Sequence, residues 1–285
     1  DAHVDQLTDA GHVERLERIG RQQFVLDVVR QERVDVVAAV AERHLRQVVG
    51  AEAEEVGHFA DRVGGPLAIG KQIEPLALAP GVAREHLGGA AGANKTTAGT
   101  VTLSKTNTYT GATTVSAGTL TLGHATNTLA DASTVVVSGG TLDLGGNADT
   151  VAGVQQTGGT IQNGTLTSTT AFDMQAGTAS ANLAGAVGLD KTTAGTTTLS
   201  GTNTYTGTTT VSAGNLNLNS AGTAIAGNLT VAGGTATLQA ADQIADGKNV
   251  VVTSGTLDVA SFNDTVNGVQ ITGGTITGTR SEEHT

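Results

Sequence analysis

The chain has 285 residues, a formal net charge of −11 and no cysteine. That length allows one or two domains, and the missing cysteine excludes a disulfide framework or a thiolate metal site. No basic stripe of the kind nucleic acid or an anionic membrane surface requires is present, and no long apolar run predicts a transmembrane helix. Neither nucleic acid nor direct membrane insertion is therefore expected.

Composition divides the chain near residue 92. Residues 1–92 contain no Ser, Asn or Tyr and one Thr, Thr8, alongside 15 acidic residues, nine Arg and a single Lys, Lys71. Between Val13 and Val49, Leu16, Ile19, Val28, Val29, Val36, Val40, Leu45 and Val48 recur among Glu and Arg. This pattern predicts a helical or disordered segment, without a sustained heptad and without Ser, Thr or Asn caps. An Ala, Val, Arg, Gly, Asp and Glu bias is also what a GC-rich gene read in the wrong strand or frame yields. The opening DAHVDQLTDAGHVERLERIG has no basic start followed by an apolar core, so it does not read as a signal peptide. With no initiator Met, the chain reads as a fragment or an incorrectly framed sequence.

Residues 93–279 are repetitive. Gly99, Gly118, Gly140, Gly159, Gly177, Gly195, Gly214, Gly234, Gly255 and Gly274 recur at intervals of 18 to 22 residues. A period near 20 with a turn and short strands in each unit is the mark of a solenoid. The residue after each glycine is Thr in nine cases and Asn215 in the tenth. The second and fourth residues after it are mostly apolar, as in Leu120 and Leu122 or Leu216 and Leu218. Alternation of period two places these on one face of a strand and Thr on the other. Three residues before the glycine stand Val115, Val137, Met174, Val211, Val231, Val252 and Ile271, with Thr96, Gln156 and Thr192 as exceptions. Each unit therefore reads as strand, tight turn, strand.

Hairpins of an antiparallel meander or barrel and coils of a parallel β-helix both fit such units. The columns favour the helix: like residues recur in every copy, as they must where successive coils stack about 4.8 Å apart. The prediction is an all-β, right-handed parallel β-helix of about ten coils, roughly 45–50 Å long. A longer duplication supports it. Residues 95–123 match 191–219 at 23 of 29 positions, and 141–161 match 256–276 at an offset one coil larger. Insertion of a whole coil preserves every column.

Two segments carry a family resemblance. TVTLSKTNTYTGATTVSAGTLTLG (100–123) and TTTLSGTNTYTGTTTVSAGNLNLN (196–219) resemble the autotransporter-associated β-strand repeat, with Leu103–Ser104, Asn107–Gly111, Thr113–Val115 and Leu120–Leu122 as its landmarks in the first copy. The resemblance implies the passenger region of a type V secreted protein of a Gram-negative bacterium. It implies a secreted or outer-membrane-surface, adhesin-like stalk whose parent carries a Sec signal peptide and a translocator barrel. The partners it implies are that barrel, a host surface or matrix receptor, and neighbouring bacterial cells.

No catalytic, cofactor-binding or metal site is expected. Asp143 and Asp258, and likewise Asp149 and Asp264, are duplicates about six coils apart, roughly 30 Å by coil spacing, too far to act as a carboxylate pair. They are expected to be outward and solvated. His124 stands alone in the repeats, and His3, His12, His44, His58 and His86 lack zinc spacing. Tyr109 and Tyr205 each sit in an Asn-Thr-Tyr-Thr-Gly loop, where packing at a coil corner is expected over sugar stacking. Outward pairs such as Thr100/Thr102, Thr119/Thr121, Thr196/Thr198, Thr235/Thr237 and Thr275/Thr277 raise an ice-binding alternative, and a polysaccharide-active β-helix is the enzymatic one. Asp143, Gln162, Ser180, Asn217 and Asp258 interrupt the Thr lattice, and Thr serves a two-faced strand well without any ligand. Residues 280–285, RSEEHT, resemble translated adapter sequence and are expected to be a non-native tail.

Overall fold

The computed structural model describes residues 76–77 and 87–279. The expectations for the remainder of residues 1–92, and for the tail 280–285, fall outside the described residues. Every described element is a β-strand, and every pairing between strands is parallel. An 11-stranded sheet holds the strands before the glycine turns. A 10-stranded sheet holds those after them, and a short three-stranded sheet closes the third side in the middle of the stack. This is the parallel β-solenoid that the column pattern predicts, with about ten turns.

The short period becomes a stack because each coil places the same residue types over its neighbour. In the 10-stranded sheet, Val101 lies in register with Leu120 and Leu103 with Leu122, and Leu120 continues onto Leu142. Val101, Leu103, Leu120, Leu122, Leu142, Leu144, Ile161, Leu216, Leu218, Ala236 and Leu238 are all buried. In the 11-stranded sheet, Val211, Val231 and Val252 form a second aliphatic column. Burial on two facing sheets, not any one strand's length, holds three- and four-residue strands in place.

The glycine column has two physical origins. Gly118 has a φ of 64°, a region that side chains with a Cβ rarely adopt. Gly234 has no such φ, but a Cβ there would lie 2.7 Å from the carbonyl oxygen of Gly214 in the preceding coil. There the close approach of stacked turns requires the glycine.

Three details differ from the sequence reading. The first described strand, Leu76–Ala77, pairs with Ala93–Lys95 ahead of residue 93, where the repeats were expected to begin. Two turns are also one residue longer than the glycine alignment implies. Lys95 and Lys191, not Thr96 and Thr192, occupy the inward valine column, in register with Val115 and Val211. Finally, glycine-on-glycine alignment pairs Thr178 with Thr196, whereas the ladder pairs Gly177 with Thr197, Thr178 with Thr198 and Ala179 with Leu199. The slip is two residues, so inward and outward faces are preserved; a slip of one would have exchanged them. Thr197 keeps its inward place, and its hydroxyl donates to the Met174 carbonyl at 3.1 Å.

Candidate functional site

The chemically distinctive groups of the described residues lie inside the stack. At the third corner, polar residues interrupt a buried apolar column, as where Asp149 lies in register with Leu166 and Leu166 with Leu183. Asn203 is the clearest of these polar residues. Its Oδ1 accepts the Leu183 N–H of the preceding coil at 2.8 Å, and its Nδ2 donates to the Ala224 carbonyl of the following coil at 2.7 Å. Asn107 repeats this, accepting from Leu87 N–H at 2.7 Å and donating to the Thr128 carbonyl. Gln243 accepts from Ser220 N–H at 2.7 Å and donates to the Ser220 and Ala241 carbonyls. These amides satisfy backbone groups where a corner interrupts the sheet ladder, which is the condition on which buried polar groups persist.

Asp149, buried, and Asp264, half-buried, both turn toward this corner, which corrects their expected outward, solvated placement. Asp149 is 3% exposed. Its Oδ2 accepts from Leu129 N–H and its Oδ1 from Thr150 N–H, both at 2.9 Å. Asp264 accepts from Gln243 N–H at 2.8 Å and Ile244 N–H at 2.9 Å. Burial raises the pKa of both above the ordinary 3.8, and the backbone donors oppose it. Their period gave no warning, because the Leu129, Gln243 and Ile244 donors belong to the preceding coil.

Lys95 and Lys191 are buried in the valine column of the 11-stranded sheet. Each ammonium donates to turn carbonyls of its own coil and the next: Thr97 and Ala117 for Lys95, Thr193 and Ala213 for Lys191. Gln156 plays the same part, donating to the Gly159 and Thr178 carbonyls at 3.0 Å each. Burial lowers the pKa of Lys191, partly countered by the Asp173 carboxylate. The 96-residue duplication of KTTAG was the available signal that these lysines share a structural role.

Tyr109 and Tyr205 pack inside the corner, as expected. Their hydroxyls pair with the buried Thr113 and Thr209 hydroxyls at 2.5 and 2.6 Å. The Tyr205 ring lies 6.0 Å from that of Phe172, tilted by 55°. Burial raises the pKa of both phenols. Neither ring is open to stack on a sugar.

Outward groups bond chiefly to one another along the stack. Asp143 faces outward as expected and accepts from Gly145 N–H at 2.9 Å, Gln162 at 3.0 Å and Asn163 at 3.2 Å. Asp258 accepts from Ala260 N–H and Thr277. His124 Nδ1 engages the Thr126 carbonyl at 2.8 Å. Among the described residues no group of three His, Cys, Asp or Glu side chains is arranged to hold a metal. The Thr column runs Thr100, Thr119, Thr141, Thr160, Thr178, Thr198. The two-residue slip then moves it from the first to the third residue after the glycine, so no two-column Thr lattice runs the length of the stack.

The passenger-associated transport repeat model matches residues 94–122, 116–144 and 189–218. These segments are similar to passenger-associated transport repeats. They include both Asn-Thr-Tyr-Thr-Gly corners and both buried lysines, so the repeat contributes the inner bonding just described as well as the outer strand pattern. Carrying this repeat implies an autotransporter passenger, a secreted or cell-surface protein of Gram-negative bacteria. No curated protein and no solved structure matches the chain.

Proposed function

We propose that residues 87–279 serve as a non-catalytic, adhesin-like stalk of an autotransporter passenger, displayed outside the outer membrane. The translocator barrel of the parent protein is its export partner. A host surface, a matrix receptor or a neighbouring bacterial cell is what it meets. The observation that supports this reading is the ladder running unbroken from Ala93 to Thr277, with three matched repeats inside it. Its polar side chains are spent on joining one coil to the next. A stack whose bonding is internal lends itself to holding something at a distance from the cell, because stability in a solenoid is a sum over neighbouring repeats.

The test is to place the chain between a Sec leader and a translocator barrel in a Gram-negative host. The displayed protein is expected to increase binding of intact cells to epithelial monolayers or immobilised matrix proteins. Unchanged binding would reduce the role to that of a spacer. Release of reducing ends from acidic polysaccharides by the purified chain would overturn the non-catalytic reading.

A further inference from the structure

Several departures from the repeat meet at one junction, between the coil of residues 172–184 and the coil of residues 189–199. The third sheet ends there with Asn182–Ala184, and the two-residue slip falls there, with Gly177 on Thr197. The 11-stranded sheet is also thinned. Phe172–Met174 meets the next strand at Phe172 on Leu189 and Asp173 on Asp190 alone, whereas all three residues of Leu189–Lys191 stay in register with Thr209–Val211. One of the two remaining pairs sets like charges side by side on the outward face, which weakens a sheet. In the core, Ala179 stands between Ile161 and Leu199, so less apolar surface is buried there than where Leu199 meets Leu218. Gln156 bridges the turns of the junction before, and Lys191 those of the junction after. Here the Thr193 and Thr197 hydroxyls take that part, donating to the Gln175 and Met174 carbonyls at 3.0 and 3.1 Å, while Asn203 caps Leu183 at the corner.

We propose that this junction is a built-in joint, which opens locally ahead of its neighbours and divides the stack into two cooperative blocks. Stability in a solenoid is a sum over neighbouring coils, so opening begins where the term between two coils is smallest. The Asp173–Asp190 pair sets how readily the joint opens. Both carboxylates are half-buried on the outward face, within reach of salt. Lys191, whose ammonium also feels Asp173, is turned inward and held by carbonyls of its own and the next turn. It therefore secures the following junction and leaves the repulsion in place.

Hydrogen exchange of the full chain, resolved amide by amide, tests this. The Ser200, Asn219 and Gln239 N–H groups are equivalent. Each donates to the preceding coil, to the carbonyls of Ala179 at 2.9 Å, Leu199 at 2.9 Å and Leu218 at 2.8 Å. Ser200, which spans the joint, should have a protection factor several-fold below the other two. Asp190→Asn should raise it by about two- to fivefold. Raising the salt from about 0.01 M to 1 M, which shortens the screening length from about 30 Å to 3 Å, should act in the same direction on wild type and leave the variant unmoved. Asp258→Asn, on the outward face of a later coil, should not change Ser200. Equal protection of the three amides overturns the proposal. So does a gap that neither Asp190→Asn nor salt narrows.

Discussion

Lys191 lies in register with Val211, and both side chains are fully buried in one column. A cation occupies a valine site because its ammonium reaches the carbonyls of Thr193 and Ala213 in two successive turns. The same substitution of bolt for filler recurs at Lys95 beside Val115, five coils earlier. Met174, in the same column, shows that an unbranched apolar chain fits there.

Lys191→Ala therefore leaves a void and loses the turn-to-turn bond, at a cost of about 2–5 kcal/mol. Lys191→Met, which keeps the volume, should cost under about 1.5 kcal/mol. Urea unfolding followed by circular dichroism gives both numbers. Because burial lowers the lysine pKa, the unfolded chain binds more protons than the native one below 10.5, the ordinary value. Wild-type stability should rise with pH toward 10.5 in a way that Lys191→Met does not. A Lys191→Met variant with the stability and the pH dependence of wild type would refute the bolt.

Asp149 should act in the opposite sense on the acid side. Its pKa is raised, so the native state binds the proton more tightly than the unfolded chain does. The resulting stabilisation is complete below 3.8 and is lost as pH rises through the native value. Asp149→Asn, which places at this position the residue found at Asn107 and Asn203, should flatten that dependence. It should leave the protein as stable or more stable at neutral pH. A marked loss of stability at neutral pH would show that the carboxylate itself is required.

The Tyr205 hydroxyl and Thr209 are each other's buried partner. Tyr205→Phe strands the Thr209 hydroxyl and should cost about 1–3 kcal/mol. In an alkaline titration read at the tyrosinate absorbance, wild-type Tyr205 should ionise only as the chain unfolds, since burial holds its pKa well above 10.0. Ionisation near 10 in the folded protein would place the ring in solvent.

Gly234→Ala tests the turn stack. Its Cβ would press on the Gly214 carbonyl at 2.7 Å, and overpacking of this kind costs about 1–3 kcal/mol. The half-buried Gly158, where a Cβ would likewise meet a carbonyl of the preceding coil at 2.7 Å, should respond similarly. An Ala variant as stable as wild type would mean the coils can separate there.

The sequence made the stacking legible because a parallel solenoid repeats its inward residues at a fixed place in every coil. Leu120 over Leu142 could be read from spacing alone, and so could the inward corner for Tyr109. What spacing hid were the effects that depend on a neighbouring coil. Lys95 fell one residue outside the expected column because its turn is longer by one. Asp149 read as a surface carboxylate because its donor, Leu129 N–H, lies 20 positions away. The slip at Gly177 was hidden because a displacement of two preserves the alternation used to detect it.

A stalk built by repetition should tolerate the loss of a complete unit. Removing residues 217–236 joins Leu216 to Thr237, which lies in register with Asn217, so every column is retained with one coil fewer. The decisive measurement is the amount of this shortened passenger that external protease releases from intact cells, against the full-length chain displayed in the same way. Equal release is the expected result. Loss of display, with the shortened chain retained inside or degraded, would contradict a stalk of interchangeable coils.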